Sequence, residues 1–350
     1  MLAAVFQGEG RIGIERVSPP QVPAGWALVA VSHVGICGTD LAILAGQHPR
    51  ATPPLIMGHE VSGRLVEGVE QPGPGHASGE TRIEAGGAVA VEPLVTCGAC
   101  SACRSGNAHV CSTLRLFGID FPGGMAELVA VPADRVHRLP EPVALDTGAL
   151  VEPLAVAVHA VRLSAFRPGD TVAVLGGGPV GLLTAHVLRE SGARLVIVSE
   201  ANAYRLRVAG ELGFSALDAS DRPVEHILDL TAGEGAAVVF DAAGHPDVAA
   251  QLAAVCRIRG QLVLVGIYKK PTPLDLQAVA FKELALVGSR VYTSNDFAFA
   301  RDLAASGRID LRPLISHVLP LERAGEGFEI LAAGGDALKV LFRVGREQRA

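Results

Sequence analysis

A chain of 350 residues, 49% of them apolar types, is long enough to bury a large core and to divide into two domains. Its formal charge is −6, and with four lysines and scattered arginines it carries no basic stripe of the kind that tracks a nucleic-acid backbone. No segment reaches about 18 uninterrupted apolar residues, and the N-terminus lacks a basic start followed by an apolar run, so a membrane span and a secretory signal are not expected and cytoplasmic residence is.

Residues 1 to about 150 alternate short apolar runs with Gly and Pro: ALVAVSHVGIC, EVSGRLVEGV, AVAVEPLV and AELVAVPADRVHRL. Short β-branched runs between turn residues predict a compact, mostly β domain. Within it EQPGPGHASGETRIEAGG, residues 70–87, is rich in Gly and Pro and is expected to be an exposed loop.

Two sets of metal-capable residues fall in or beside this region. CGACSACRSGNAHVC places Cys97, Cys100, Cys103 and Cys111 within fifteen residues, too close together to close two unstrained disulfides easily. In a cytosolic chain such clustering reads as one closed four-cysteine zinc site, with His109 a spare donor beside four sulfurs that already fill a tetrahedron. The second set is Cys37 in GICGTD with His59 and Glu60 in IMGHEVSG. Thiolate, imidazole and carboxylate form a zinc donor set that leaves a position open for water or substrate. Singly, Cys37 reads as well as a small buried hydrophobe, His59 as a core histidine and Glu60 as a turn residue. Glu152 interrupts the apolar helical pattern GALVEPLAVAVHA, where an acid is costly to bury without a cation or polar partner.

From 151 to 289 apolar strands alternate with helical patterns: TVAVLG, LVIVSE, AVVFDAAG, QLVLVG and LALVGS. Strands apolar throughout predict a parallel sheet covered on both faces, a doubly wound α/β domain. After the first strand comes Gly176-x-Gly178-x-x-Gly181, with Pro179 and Val180 opening a helix, the arrangement that lets backbone N–H groups approach a pyrophosphate. Glu200 ends the next strand, nineteen residues past Gly181. A carboxylate there accepts hydrogen bonds from ribose hydroxyls and repels a 2′-phosphate, so NAD is expected over NADP. Arg205 would attract phosphate or flank the adenosine. Val265, Gly266 and Ile267, and Ser289, at the ends of the last two strands, are further expected coenzyme contacts. Cys256, at helical spacing from Val248 and Leu252, is expected in the core, and His159, His186 and Phe117 are expected to pack. The tail predicts a helix, a connector, a second helix and a final strand.

Cys37-Gly-x-Asp40, Gly58-His59-Glu60, the four-cysteine lobe, Glu152-Pro153 and Gly176-Gly177-Gly178-Pro179-Val180-Gly181 stand in the order found in zinc-dependent medium-chain alcohol dehydrogenases. The chain resembles that superfamily end to end, and within it the sorbitol and butanediol dehydrogenase branch and the neighbouring L-threonine 3-dehydrogenases. The resemblance implies a GroES-like catalytic domain over 1–150 and 290–350, and a Rossmann NAD-binding domain over 151–289. It implies two zinc ions per subunit, one catalytic and one structural. The implied reaction is hydride transfer between NAD and a secondary hydroxyl of a polyol, cyclitol or vicinal diol, with L-threonine as the alternative substrate. Cys37 and His59 would be catalytic zinc ligands, completed by Glu60 or Glu152. The cysteine lobe would staple a surface loop near subunit contacts, and the assembly would be a homotetramer.

Thr39 matches the position whose hydroxyl passes the substrate proton toward solvent in this superfamily, and equally fits a helix N-cap. Where related enzymes carry a histidine three residues on, this chain has Ala42. The proton would then leave through water or His48, and L-threonine is disfavoured. The arginine that some polyol enzymes place before a tyrosine aligns with Val291 before Tyr292, whereas STLRLFGIDFPGGMAEL and EANAYRL are similar to threonine dehydrogenases. A zinc-free reductase of the quinone type and a non-catalytic NAD(H)-binding sensor are the competing readings.

Overall fold

A computed structural model describes residues 1–70 and 82–345. The chain divides into two compact units, Met1–Ala155 with Thr293–Ala350, and Val156–Tyr292. Of the Gly/Pro-rich segment expected to be a loop, residues 71–81 lie outside the described residues. Its flanks are strands, Val69–Glu70 pairing antiparallel with Arg82–Ile83.

The first unit is mostly β. Its largest sheet has seven strands, running in space Val136–Arg138, Ala88–Val91, Glu60–Leu65, Trp26–Gly35, Lys339–Arg343 and Ile315–Pro320, with Leu128–Pro132 also on Trp26–Gly35. The ten-residue strand Trp26–Gly35 is the organiser; Ala27, Val29 and Val31 are buried at a period of two, and the register shifts between Val31 and His33 before Val34 is buried in turn. Val61, Val89, Val91, Val129, Leu341 and Phe342 on the other strands of the sheet are buried as well, the adjacent Leu341 and Phe342 on opposite faces. Each such valine, leucine or phenylalanine side chain contributes roughly 1.5–3 kcal/mol on burial.

The tail joins this unit, because Lys339–Arg343 pairs antiparallel with Trp26–Gly35. The expected connector between its two helices, Ser294–Ala305 and Ala324–Ala333, contains a strand, Ile315–Pro320, parallel to Lys339–Arg343. The sequence ISHVLP mixes polar and apolar residues and ends in Pro, so it shows no clean strand period.

The second unit is a six-stranded, all-parallel sheet in the spatial order Ser215–Asp218, Leu195–Glu200, Thr171–Leu175, Ala236–Asp241, Cys256–Leu264, Ala285–Gly288. This is the doubly wound dinucleotide order, with the switch point between Thr171–Leu175 and Ala236–Asp241. Both of those strands are buried along their whole length, which explains why they are apolar except for Thr171 at the start of one and Asp241 at the end of the other. Ser215–Asp218 was not expected: SALD is a short edge strand with a polar residue at each end. Cys256 opens a strand instead of ending a helix, since Pro246–Val255 stops one residue earlier, but it is fully buried in the core with Leu252, Val255 and Leu262. The expected fold class is therefore observed. No helix among the described residues is long and apolar enough to cross a membrane.

Candidate functional site

Pairing in the first sheet brings the second metal-capable set together. Cys37 follows the strand Trp26–Gly35 and caps the helix Gly38–Leu44, and Gly35 lies directly opposite Glu60 on the neighbouring strand. The ligand atoms of Cys37, His59 and Glu60 all lie within 4.8 Å of one another. Zinc bonds of about 2.0–2.3 Å in a tetrahedron put neighbouring ligand atoms about 3.3–3.8 Å apart, so a set gathered within 4.8 Å needs at most small side-chain adjustments to share one ion. Glu152, in the first turn of Val151–Leu163, is buried and acts electrostatically on His59 and Lys339, but stands outside that close set.

Electrostatics around this set favour a cation. Burial works against charge on His59, yet the facing Asp40 and Cys37 outweigh it and push the imidazole well above its ordinary range. Asp40 is fully buried and its own carboxyl is raised, chiefly by desolvation. Asp40 Oδ1 and His59 Nδ1 face each other at 3.7 Å, and neither makes a hydrogen bond among the described residues. A buried carboxylate aimed at one ring nitrogen orients the other toward a metal, and these orphaned atoms fit a zinc site. Lys339 completes the surroundings: its Nζ lies 2.6 Å from both Glu60 oxygens and 3.1 Å from the Ile36 carbonyl. Burial opposes its charge, but Glu60 and Cys37 raise its pKa above the ordinary lysine value.

Thr39 Oγ1 lies 3.8 Å from Cys37 Sγ. It is the second residue of its helix, so the N-cap position belongs to Cys37, whose N–H donates to Asp40 Oδ2 at 2.9 Å. His48 accepts from the backbone N–H groups of Ala51, at 3.2 Å, and Arg50, at 3.4 Å.

In the cysteine lobe, Cys100 Sγ is 3.5 Å from Cys103 Sγ and 3.9 Å from Cys111 Sγ, and Cys97 Sγ is 3.9 Å from Cys103 Sγ. All four are free thiols. Such spacings are far beyond a disulfide bond of about 2.05 Å and match the edges of a tetrahedron of four sulfurs around zinc, about 3.8 Å. Backbone N–H groups of Cys97, Ala99, Cys100 and Cys103 point at these sulfurs at 3.3–3.5 Å. Backbone hydrogen bonds from Cys103 and Ser112 lower the Cys100 thiol to about 5. The donor set and its spacing fit a closed zinc site, with His109 outside the four-sulfur group.

The second unit carries the glycine-rich turn after Thr171–Leu175 and Glu200 at the end of Leu195–Glu200. Gly176 has φ +110°, and a Cβ on Gly181 would lie 1.9 Å from the Gly176 carbonyl oxygen, so the turn closes only with glycine. Pro179 and Val180 open the helix Pro179–Glu190. Glu200 accepts from Gly177 N–H at 2.7 Å and Asn202 N–H at 2.8 Å. The Arg205 guanidinium comes within 4.0 Å of where a Cβ on Gly178 would stand. Val265 and Gly266 donate backbone N–H groups to the Asp241 carbonyl, Ile267 is 82% exposed, and Ser289 Oγ is buried without a hydrogen-bond partner among the described residues. A glycine cradle and an orphaned hydroxyl at the carboxyl ends of parallel strands fit a dinucleotide.

Phe117 packs edge-on against Trp26, and His186 pairs with Arg189 and meets Phe214 edge-on, as packing residues do. Sequence reasoning missed Lys339. Its signal was there: one of four lysines, set inside the apolar strand LKVLF.

Residues 23–141 match the family model for the alcohol dehydrogenase GroES-like domain, and residues 179–306 match that for zinc-binding dehydrogenase. The chain is 38% identical to the 2-dehydro-3-deoxy-L-galactonate 5-dehydrogenase of Pseudoalteromonas atlantica, over 99% of this chain and 100% of that one. It is 33% identical to the L-threonine 3-dehydrogenase of Bacillus subtilis, over 95% and 96%. The solved structure of a zinc-binding dehydrogenase from Sinorhizobium meliloti, bound to NADP, matches it with a TM-score of 0.88 and 32% identity over 98% of each chain. With both family models matched in order and relatives aligned end to end, this chain belongs to the zinc-dependent medium-chain alcohol dehydrogenase superfamily and is a dehydrogenase.

Proposed function

We propose that the chain oxidises a secondary hydroxyl of a polyol, cyclitol or vicinal diol to the ketone, passing hydride to NAD and the proton to solvent. The observation that carries this reading is the close set Cys37, His59 and Glu60, with the Thr39 hydroxyl beside Cys37. Cys37 and His59, with Glu60 or Glu152, would hold a catalytic zinc, and Cys97, Cys100, Cys103 and Cys111 a structural one. Bound zinc supplies the Lewis acidity that makes an alcohol acidic near neutral pH, and bound NAD supplies the hydride acceptor.

The chain's own residues do the rest. Asp40 fixes the His59 ring. Thr39 takes the hydroxyl proton at Oγ1 and releases its own toward water. Ala42 offers no imidazole and His48 already accepts two backbone N–H groups, so water carries the proton onward. Glu200 receives the ribose hydroxyls, the backbone from Gly176 to Gly181 receives the pyrophosphate, and Arg205 flanks the adenosine. Val265, Gly266, Ile267 and Ser289 receive the nicotinamide half. A carboxylate at position 200 favours NAD; the Sinorhizobium relative holds NADP, so both coenzymes are to be compared directly.

The Pseudoalteromonas relative acts, by its name, on a polyhydroxylated sugar acid, which supports a polyol-type substrate. L-Threonine is the second reading, favoured by the Bacillus relative and opposed by Ala42. A rate screen with NAD⁺ against diols, sugar alcohols, cyclitols, sugar acids and L-threonine decides between them. Cys37→Ser should abolish turnover and spare NADH binding; a nucleotide sensor would keep its whole function after that change. Cytoplasmic residence and a homotetramer complete the proposal, to be checked by cell fractionation and light scattering.

A further inference from the structure

We infer that Asp241 and Tyr268 are positioning residues that set the loop receiving the nicotinamide half of the coenzyme. The inference rests on the reading that Val156–Tyr292 binds NAD(H). Asp241 ends the strand Ala236–Asp241 and is 0% exposed. Its Oδ1 accepts from the N–H groups of Ala243, at 3.0 Å, and Gly244, at 2.9 Å. Its carbonyl accepts from Val265 at 2.9 Å and Gly266 at 2.8 Å. Its Oδ2 accepts from the Tyr268 hydroxyl at 2.5 Å. One buried residue therefore holds two successive strand-end loops, 241–244 and 265–268, through five hydrogen bonds.

The two loops touch backbone to backbone. A Cβ on Gly266 would lie 2.2 Å from Gly244 N, and one on Gly244 would lie 2.8 Å from Ile267 N and 2.9 Å from its carbonyl oxygen. The first of these loops also abuts the phosphate turn, since a Cβ on Gly176 would lie 2.9 Å from Ala243 N. In a doubly wound sheet each half takes one mononucleotide, at the carboxyl ends of its strands. Glu200 and the phosphate turn serve the half that takes adenosine, so the loop 265–268 serves the other. A buried carboxylate that lost the Tyr268 donor would be left partly unsatisfied and would recruit water or shift, and the loop would lose its set position. Burial, the hydrogen bond to Asp241 and its charge together hold the Tyr268 phenol above its ordinary range, so it stays a donor through the working pH range.

The test compares NADH with ADP-ribose, which lacks the nicotinamide, by titration calorimetry on full-length protein. Tyr268→Phe should raise the NADH dissociation constant about tenfold, the size of one charge-assisted hydrogen bond, and leave ADP-ribose within about twofold. Gly244→Ala pushes on Ile267 from the other side without touching the hydroxyl and should give the same split; it decides alone if Tyr268→Phe does not fold. A general loosening would weaken both ligands together, and that result, or unchanged NADH binding in the folded variants, overturns the inference. Wild-type protein that binds neither NADH nor ADP-ribose overturns the coenzyme reading and takes this inference with it.

Discussion

Lys339 Nζ lies 2.6 Å from both carboxylate oxygens of Glu60, and the two side chains are 3% and 2% exposed. The pair bridges the last strand of the chain to the strand that carries Glu60, across the intervening Trp26–Gly35. Gly35 makes the room, because a Cβ there would stand 1.9 Å from Glu60 Oε2. A metal ion that draws on Glu60 must therefore share it with an ammonium already in contact.

Lys339→Met should leave the Glu60 charge buried without its cation and cost about 3–5 kcal/mol in metal-stripped protein. Adding Glu60→Gln should restore most of that loss, since both charges are then gone. Urea unfolding of wild type, Lys339→Met, Glu60→Gln and the double variant measures the coupling. Equal midpoints for wild type and the single variant would show that the pair is not a stability anchor.

Glu92 supplies the pH dependence. It is buried and accepts from Arg135 at 2.5 Å and from Ser294 Oγ at 2.8 Å, with His137 Nε2 at 3.0 Å. Burial alone would raise its carboxyl, but the hydrogen bond with His137 and the Arg135 charge prevail and hold it below the ordinary 4.5. A depressed folded-state pKa gives stability that is fully present above the unfolded value and is lost as pH falls through the folded one. Thermal midpoints of wild type should accordingly drop with acidification below about pH 4.5, and Glu92→Gln should be less stable near neutrality with a flatter acid limb. Parallel acid limbs in the two proteins would assign the loss to other groups.

What was legible in the sequence follows from how each residue earns its place. Strands buried on both faces, such as Thr171–Leu175 and Ala236–Asp241, carry long apolar runs, so they announced themselves; the edge strand Ser215–Asp218 has no such obligation and did not. The four sulfurs of the lobe are local in sequence, and their spacing was readable directly. Cys37 and His59 were readable as donor types, but their meeting depends on the Gly35–Glu60 register, a non-local pairing. Lys339 is 279 positions from Glu60, and only the sheet brings them together. Asp241 looked like the end of an apolar strand, because its partners are backbone N–H groups and a tyrosine twenty-seven residues away.

The lobe should be separable from the reaction. Cys100→Ser removes one of four close sulfurs, and zinc content should fall from two per chain to one while the Cys37 set keeps its metal. Because thiolates bind the metal and thiols do not, the lobe should also release zinc to a chelator faster as pH falls. Atomic absorption on both proteins, with thermal midpoints, reads the result. Retention of two zinc ions in the variant would mean that the lobe is not the second site.

Glu200 has two tasks that a substitution series can pull apart. Its carboxylate holds Gly177 N–H and Asn202 N–H, and so shapes the glycine turn 176–181 and the start of the helix Ala203–Glu211, whose N-cap is Asn202. Its charge should also repel a 2′-phosphate. Glu200→Gln keeps an acceptor and removes the charge, so NADH should weaken modestly while the ratio of NADPH to NADH efficiency rises about tenfold, equivalent to ~1.4 kcal/mol. Glu200→Ala removes both and should weaken the two coenzymes together through the loosened turn. Steady-state kcat/KM values with each coenzyme measure this, and a ratio that stays constant across all three proteins would remove the Glu200 charge from the choice of coenzyme.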